Sequence, residues 1–422
     1  MQSSLQIAQD ADVFTRTPEV AADLELEPRW ASPDTTNAEI LRLFTDDLSL
    51  HGIAILESGV PVGLINRNDY FARFARPYAR ELYLRKPCAD FVKREFLTVD
   101  EAKAVSDVGV EVATLGERAL ADGFIVVSNG RFRGLCTGIT LVRALSDIQE
   151  DQHRQLLSGI DYASTIQTAL MADSRAVLER SFRGRHKVVW MPRDTVGGDC
   201  FFAVGGQDGI LIGAIDCTGH GVPGALLTSI ALSEANRLSA DEDLRSSPAA
   251  MLKGLNQRVK AALQQHDANA LDNTRADDGM DAVFVYVDLL DETVKLASAK
   301  LPVFLTRADG TLEALKGDRK GVGYRDTPAD FEWTEHTFAQ ADLSRMIIAT
   351  DGLCDQIGEA KSIAFGWNRV RQAIENGSNQ HICGQVDSLW NAFIDYQGRQ
   401  QRRDDVTVIG LDFTPQLSEV QP

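Results

Sequence analysis

Four aspartates stand where an apolar segment of the sequence ends in a turn, beside glycine or a second aspartate. They are Asp199 in VGGD, Asp216 in AIDCTGHG, Asp351 in ATDG and Asp404 in RDDVTVIG. Converging carboxylates at the ends of buried strands repel one another, and raised pKa values or a bound hard cation relieve that repulsion. Each position taken alone is also typical of an ordinary turn. Taken together, the four predict a common acidic site.

The chemistry of this set favours magnesium or manganese. All four side chains offer oxygen, and no histidine and cysteine cluster with ligand-like spacing accompanies them. Oxygen-only ligand sets favour Mg²⁺ or Mn²⁺ over Zn²⁺. The adjacent glycines let the backbone approach closely, so a main-chain carbonyl can also bind the metal.

The elements that must position these aspartates lie beyond Arg185. Strands joined mostly by short turns, with the helices segregated, predict the fold class α+β, as a sandwich rather than a doubly wound sheet. The predicted strands are HKVVWMPRD, GILIGAID, MDAVFVYVDLL, TVKLASAKLPVFLTR, RMIIATD and DVTVIGLDF. The predicted helices are GVPGALLTSIALSEANRL, SPAAMLKGLNQRVKAALQQH and the segment around GQVDSLWNAFIDY.

These segments resemble the SpoIIE-like branch of the metal-dependent protein phosphatases (PPM, type 2C), over about residues 160–415. The shared segments are TIQTAL, MPRDTVGGD, IDCTGHGVPGALL, MDAVFVYVD, ATDGLCDQIGE and DDVTVIG. The fullest likeness is to the SiaA-like phosphatases, through ASAKLPVFL, GVGYRD and FGW. The resemblance implies an αββα sandwich that hydrolyses phosphoserine or phosphothreonine in a protein.

The resemblance also implies a site for two divalent cations, Mn²⁺ or Mg²⁺. Asp216 would bridge the two ions, and the main-chain carbonyl of Cys217 would join one of them. Asp351 and Asp404 would bind the first ion, and Asp199 would serve the second directly or through water. Two ions on the order of 3.5–4 Å apart can share a water, lower its pKa and direct it at phosphorus. The aspartates would then be catalytic by setting the positions of the ions.

Three further positions near the four aspartates are considered for supporting roles at the metal site. Asp405 matches a position that more often holds an Asp or Asn supporting a metal ligand. Asp281 is either a further acidic contributor or part of the turn that starts a strand. A further acid is common in the family where this chain has Phe202.

Three residues are candidate substrate contacts. Arg193 either guides an anionic substrate or forms a surface salt bridge. His220 either begins the helix that follows it or contacts the substrate as a proton donor. Lys300 stands in a segment that is ANAGHPPP-like in most of the branch, so it is a candidate for substrate choice.

The N-terminal part of the chain contains an internal repeat. GIAILESGVPVGLINRNDYFARF, from Gly52, matches GFIVVSNGRFRGLCTGITLVRAL, from Gly123, at constant spacing. Each copy predicts a strand, a glycine turn, a second strand and the start of a helix. The duplicated unit resembles a cystathionine-β-synthase (CBS) domain pair over roughly residues 28–145.

CBS pairs commonly bind adenine nucleotides, using a Thr/Ser-x-x-Asp segment after the second strand. By this resemblance Asp69 is a candidate contact for a ribose hydroxyl and Thr137 for a phosphate, while Thr140 replaces the second acid. The alternative is a folded pair without nucleotide that only mediates dimerisation.

A long polar helix pattern without proline runs from about Leu141 to Leu178. Its near-heptad spacing suits either a helix that transmits a change of orientation or one that packs on its own domain. The predicted domain boundaries are an N-terminal tail 1–27, a CBS-like pair 28–145, a connecting helix 146–184, a phosphatase domain 185–415 and a C-terminal tail 416–422.

Composition excludes several classes of protein. The 422 residues carry 43 Lys and Arg against 61 Asp and Glu, a formal charge of −18, which argues against general attraction to nucleic acid or an anionic membrane. No signal-peptide pattern or stretch of about 18 apolar residues occurs. The six single cysteines favour a reduced cytoplasm, and those near the aspartates (Cys200, Cys217 and Cys354) lack a histidine partner for thiol catalysis or zinc.

The sequence therefore predicts a cytoplasmic, homodimeric serine/threonine phosphatase of bacterial partner-switching signalling. Its expected substrate is a small phosphoprotein of the anti-sigma-factor-antagonist type, and the CBS-like pair is expected to regulate it. The competing interpretation is a ligand-binding regulatory protein whose phosphatase fold is a non-catalytic scaffold. Retention of all four aspartates argues against that interpretation.

Overall fold

The structure is a computed structural model that describes residues 17–265, 277–359 and 362–414. The chain divides into two compact units, Met1–Leu157 and Ser158–Pro422. The division falls inside the predicted connecting helix. Within the described residues, no helix is long and apolar enough to cross a lipid bilayer.

The N-terminal unit contains two copies of one strand–helix–strand–strand–helix arrangement. In each copy the first strand pairs in parallel with the second, and the second pairs antiparallel with the third. The first copy comprises β1 Trp30–Ala31, α1 Asn37–Asp46, β2 Gly52–Glu57, β3 Val60–Asn66 and α2 Arg67–Phe74, and α3 Ala79–Tyr83 follows it. The second copy comprises β4 Thr98–Asp100, α4 Val105–Leu115, α5 Glu117–Asp122, β5 Phe124–Ser128, β6 Arg131–Cys136 and α6 Gly138–Leu170.

The two glycine turns predicted from the repeat are present and alike. Ser58 and Gly59 have φ of 54° and 84°, and Asn129 and Gly130 have φ of 50° and 77°. Two successive positive φ values are the mark of a tight hairpin turn whose twist matches that of the strands. The two hairpins pack together through a small apolar cluster of Ala54, Leu56, Leu64, Ile125 and Leu135.

The C-terminal unit contains two five-stranded sheets. Their strand orders are β14-β11-β10-β9-β8 and β13-β12-β15-β16-β7, and all pairings within them are antiparallel. The first sheet is formed by β8 Asp199–Gly205, β9 Gly209–Cys217, β10 Met280–Asp288, β11 Thr293–Ala299 and β14 Glu335–Ala339. The second is formed by β7 His186–Met191, β12 Val303–Arg307, β13 Leu312–Leu315, β15 Leu343–Ala349 and β16 Val406–Asp412.

The two sheets face each other across the main core, and helices cover their outer faces. Side chains alternate along the second sheet: Ile348 and Ile409 enter the main core, while Ile347 and Val408 enter a second cluster beneath the helices. Helices α8 and α10 pack on the first sheet, and α13 packs on the second. The remaining helices are α7 Ala172–Ser181, α8 Gly221–Leu238, α9 Glu242–Arg245, α10 Pro248–Leu263, α11 Gly352–Asp355, α12 Gly366–Asn376 and α13 Ile382–Gln397.

Two predicted elements are interrupted in the structure. The segment TVKLASAKLPVFLTR is two strands, β11 and β12, which lie in different sheets because the chain crosses over at Lys300, where φ is 67°. The predicted helix from Leu141 to Leu178 is α6 and α7, separated at Met171. The other predicted strands and helices of this unit are present.

Candidate active site

Three aspartates form one row across the first sheet. Asp199 on β8 is the register partner of Asp216 on β9, and Asp216 is the register partner of Asp281 on β10. Directly opposed residues on neighbouring strands place their side chains on the same face, about 4.5–5.5 Å apart at Cβ, where like charges are destabilising. The row therefore concentrates three carboxyl groups at one end of the sheet.

The second sheet adds further aspartates at the same place. Asp351 lies two residues after the end of β15, and Asp404 lies two residues before the start of β16. The Thr350 hydroxyl joins the sheets: it donates to Asp199 Oδ2 at 2.7 Å and accepts from the Thr407 N–H at 2.9 Å. The four predicted aspartates are thus brought together, and Asp281 joins them. These five residues are called the acidic group below.

Burial raises the pKa values of several carboxyl groups in the acidic group, and repulsion between neighbouring carboxylates adds to the rise for some of them. Burial, with the charges of Asp405 and Asp351, raises the pKa of Asp199 to about 8. Burial raises the pKa of Asp216 well above its ordinary value, and the charges of its acidic neighbours add to that rise. For Asp351 burial raises the pKa to about 6, although the Asp216 carboxyl donates a hydrogen bond to it. The group therefore cannot ionise fully without a compensating positive charge.

The donor set fits a divalent cation. It consists of carboxylate oxygens, the ligands that Mg²⁺ and Mn²⁺ prefer, and a bound cation would offset the repulsion that raises the pKa of Asp216. In the described ranges, no three Asp, Glu, His or Cys side chains are arranged to hold a metal ion as they stand.

A loop that contains Gly197 and Gly198, called the glycine loop below, leads into Asp199 of the acidic group. Asp405, the neighbour of Asp404, accepts hydrogen bonds from the N–H groups of Arg193 and Gly198, each at 2.6 Å. A Cβ at Gly197 would lie 2.5 Å from Asp405 Oδ1, and a Cβ at Gly198 would lie 2.8 Å from the Cys217 carbonyl oxygen. Only glycine fits these two positions. Asp405 thus fixes the loop, which agrees with its predicted supporting role.

Sequence reasoning missed a residue beneath this loop. The Gln167 side chain, 2% exposed, donates to the Gly197 carbonyl at 2.7 Å and accepts from the Gly197 N–H at 3.2 Å. Gln167 lies near the end of α6, in the TIQTAL segment that the resemblance to the family singles out. Its reciprocal bonds tie that helix end to the residue two positions before Asp199.

The three candidate substrate contacts, Arg193, His220 and Lys300, each form a polar contact with another residue of the chain. Arg193 donates through its guanidinium to the Arg403 carbonyl at 3.1 Å. His220 immediately precedes α8, as its helix-start interpretation predicts, but its ring does not cap the helix: Nδ1 lies 2.9 Å from Asp194 Oδ2. Lys300 forms an ion pair of 3.0 Å with Asp281.

The nearby cysteines are unsuited to nucleophilic catalysis. Cys200, Cys217 and Cys354 are buried and free of disulfides. Burial raises the pKa of each thiol above its ordinary value. Since the thiolate is the reactive form, these groups are inert at neutral pH.

The nucleotide candidates of the N-terminal unit make local contacts. Asp69 forms an ion pair of 2.5 Å with Lys93, which also pairs with Asp122 at 2.8 Å. The Thr137 hydroxyl lies 2.9 Å from that of Thr140 and accepts from the Thr140 N–H at 3.2 Å. Both residues therefore have protein partners at the starts of α2 and α6.

Comparisons with known proteins agree with this fold. Residues 206–414 match the model of the SpoIIE family, described as Stage II sporulation protein E. This part of the C-terminal unit is therefore similar to the SpoIIE family. No curated protein matched the sequence.

The SiaA-PP2C domain of Pseudomonas aeruginosa is a structural match, with a TM-score of 0.54 and 28% identity over 62% of this chain and 99% of that domain. SpoIIE from Bacillus subtilis, a phosphatase domain with a regulatory fragment, has a TM-score of 0.41 and 16% identity over 54% of this chain and 62% of that one. RsbX in complex with magnesium has a TM-score of 0.36 and 16% identity over 54% of this chain and 93% of that one.

Proposed function

We propose that this protein is a protein serine/threonine phosphatase that depends on Mn²⁺ or Mg²⁺. The observation that carries the proposal is the row Asp199, Asp216 and Asp281, which meets Asp351 and Asp404 at the ends of two facing sheets. The similarity of residues 206–414 to the SpoIIE family, and of the fold to the SiaA-PP2C domain, supports it. Asp199, Asp216, Asp351, Asp404 and the Cys217 carbonyl are the proposed ligands of two cations.

The protein's own groups prepare this site in three ways. Thr350 orients Asp199, since its hydroxyl donates to that carboxylate. Asp405 and Gln167 hold the glycine loop from opposite sides, through Gly198 and Gly197. Bound divalent cations would supply an acidified water and positive charge for the phosphoryl oxygens. The buried thiols take no part, so the chain supplies ligands and orientation rather than a nucleophile.

Phosphate release by the wild-type protein tests the proposal. With Mn²⁺ or Mg²⁺ the protein is expected to hydrolyse an aryl phosphate and a phosphoserine peptide, and chelation is expected to lower the rate at least about 100-fold, since the metals carry most of the charge stabilisation. Failure to release phosphate from either substrate, and from candidate phosphoproteins encoded nearby, would leave the non-catalytic scaffold as the better account.

The substrate and pathway follow from the likeness to SiaA-like phosphatases. We propose a small phosphoprotein of the anti-sigma-factor-antagonist type as the substrate, in bacterial partner switching. We also propose that the repeated N-terminal unit is a regulatory CBS-like pair. Adenine nucleotide binding by this unit stays a prediction, with Asp69 and Thr137 as its candidate residues.

An apolar stripe on α6 supports a homodimer. Val142, Leu156 and Leu170 occupy one position of a seven-residue period, and Gln149 and Ala163 occupy the same position in the heptads between them. Ile166 lies four residues before Leu170, and the exposures of Val142, Leu156, Leu170 and Ile166 are 48%, 68%, 39% and 43%. Such a stripe is the seam by which two helices form a coiled coil. Pairing of α6 with α6 of a second copy would cover it.

Size-exclusion chromatography with light scattering is expected to give a dimer for the wild type and a monomer for Leu156→Glu. Charge in the seam opposes pairing because burial of an unpaired carboxylate is unfavourable. Leu157→Glu is the matched control, since Leu157 is 49% exposed and lies one residue outside the seam. A wild type that is monomeric at all concentrations, or equal dissociation of both variants, contradicts the proposal.

A further inference from the structure

Lys300 occupies a fixed and unusual position. It lies where the chain leaves β11 of the first sheet for β12 of the second, with φ of 67°, which side-chain-bearing residues rarely adopt. Its N–H donates to the Asp318 carbonyl at 2.8 Å, and the Leu301 N–H donates to the Ala299 carbonyl at 2.9 Å. A strained backbone persists only where its surroundings determine it, and it occurs most often at functional sites.

Two groups hold the lysine ammonium. Nζ lies 3.0 Å from Asp281 Oδ1 and 4.3 Å from the centroid of the Tyr324 ring. The Lys300 side chain is 38% exposed, against 19% for Asp281, so the ammonium faces solvent while its partner is covered.

This ammonium is placed beside the acidic group. Asp281 is the register partner of Asp216, the proposed bridging ligand of the cations. Among the residues that the structure describes, Lys300 is the one basic side chain in an ion pair with the acidic group. The position therefore offers a fixed positive charge next to the place where a phosphoryl group would be hydrolysed.

We propose that Lys300 binds a non-bridging oxygen of the substrate phosphate monoester, with Asp281 and Tyr324 as the positioning residues that aim its ammonium. This rests on the proposed phosphatase function. A salt link that only stabilises the fold is the competing role for Lys300. The two roles differ in their consequences for anions and cations, because an ammonium beside carboxylates attracts phosphate and repels divalent ions.

Loss of the Lys300 ammonium is expected to weaken the binding of inorganic phosphate and to strengthen the binding of Mn²⁺. In Lys300→Met the inhibition constant for inorganic phosphate should rise about 10- to 100-fold, the loss associated with one hydrogen bond between charged groups. The dissociation constant for Mn²⁺ alone should fall about two- to tenfold, because a like charge near the cations is removed. In Lys300→Arg the dissociation constant for Mn²⁺ should stay within about threefold of wild type, since the positive charge is kept.

Calorimetry with Mn²⁺ alone, and phosphate inhibition of aryl phosphate hydrolysis, measure these effects. Lys295→Met is the matched control, because Lys295 also lies over a tyrosine, with its Nζ 5.9 Å from the Tyr286 ring centroid. Lys295 is on β11, the strand that ends just before Lys300, and lies away from the acidic group. Lys300→Gln repeats the measurement should Lys300→Met not fold.

Two results overturn the proposal: unchanged phosphate inhibition in Lys300→Met, or weakened Mn²⁺ binding together with weakened phosphate binding. The binding of inorganic phosphate in the presence of Mn²⁺, measured by ³¹P nuclear magnetic resonance, does not depend on hydrolysis. It therefore tests the role of Lys300 separately from the proposed phosphatase activity. A wild type that binds phosphate through Lys300 but does not hydrolyse phosphoesters contradicts the phosphatase activity and retains the binding role.

Discussion

Asp216→Asn is expected to lower kcat/KM for phosphoester hydrolysis at least about 1,000-fold, because a bridging carboxylate positions the cations that carry the charge stabilisation. The same variant is expected to unfold, in the presence of chelator, at a temperature no lower than the wild type. Asp216 lies between Asp199 and Asp281 in the row, and burial with these like charges raises its pKa well above the ordinary value. Ionising it therefore costs the folded protein free energy that the neutral asparagine does not.

This combination of lost activity and retained stability distinguishes a site residue from a structural one. Asp208→Asn is the matched control, since Asp208 is exposed at the opposite end of the same β8–β9 hairpin. Its activity and melting temperature are expected to match those of the wild type. Parallel loss of activity and stability in Asp216→Asn, or activity above about a tenth of wild type, contradicts the assigned role.

Gln167→Leu is expected to weaken Mn²⁺ binding about 10- to 100-fold, as loss of the groups that orient metal ligands commonly does. The substitution removes both hydrogen bonds between Gln167 and Gly197. The buried Gly197 N–H then loses the acceptor that Gln167 supplied, and the Gly197 carbonyl keeps only the longer bond of 3.3 Å from the Thr228 hydroxyl. The loop then loses its anchor on α6, and Asp199 and Asp405, which depend on that loop, are less well placed. Saturating Mn²⁺ is expected to restore most of kcat, because the ligands themselves remain.

Metal titration of activity together with calorimetry measures this effect. Gln155→Leu serves as the control, since Gln155 lies on the same helix and bonds only to Asp151 among the described residues. A Gln167→Leu protein with a lowered melting temperature but wild-type Mn²⁺ affinity would show that Gln167 stabilises the fold without positioning the loop.

The sequence was sufficient to predict the four aspartates because each has a local signal, a carboxylate between an apolar strand and glycine or aspartate. The row itself was not predictable, because the pairing of Asp199, Asp216 and Asp281 depends on the register of three strands. Thr350 and Gln167 carry no local signal of their contacts, which join segments far apart in the chain.

The sequence also did not predict where two regular elements are interrupted. The apolar pattern continues across Lys300, and a lysine does not indicate a positive φ. A glycine or asparagine at this position would have indicated one. The polar helix pattern likewise continues across Met171. By contrast, Ser58–Gly59 and Asn129–Gly130 have the residue types that such turns require, and their positions were predicted correctly.

The central claim is that the acidic group supports phosphoester hydrolysis by binding divalent cations, and one titration tests it most directly. Phosphate release from a phosphoserine protein substrate is measured as Mn²⁺ is added to exhaustively chelated protein. The account predicts no release without the cation and a saturable rise that Asp216→Asn abolishes. Release that persists after chelation, or that Asp216→Asn leaves intact, would contradict it.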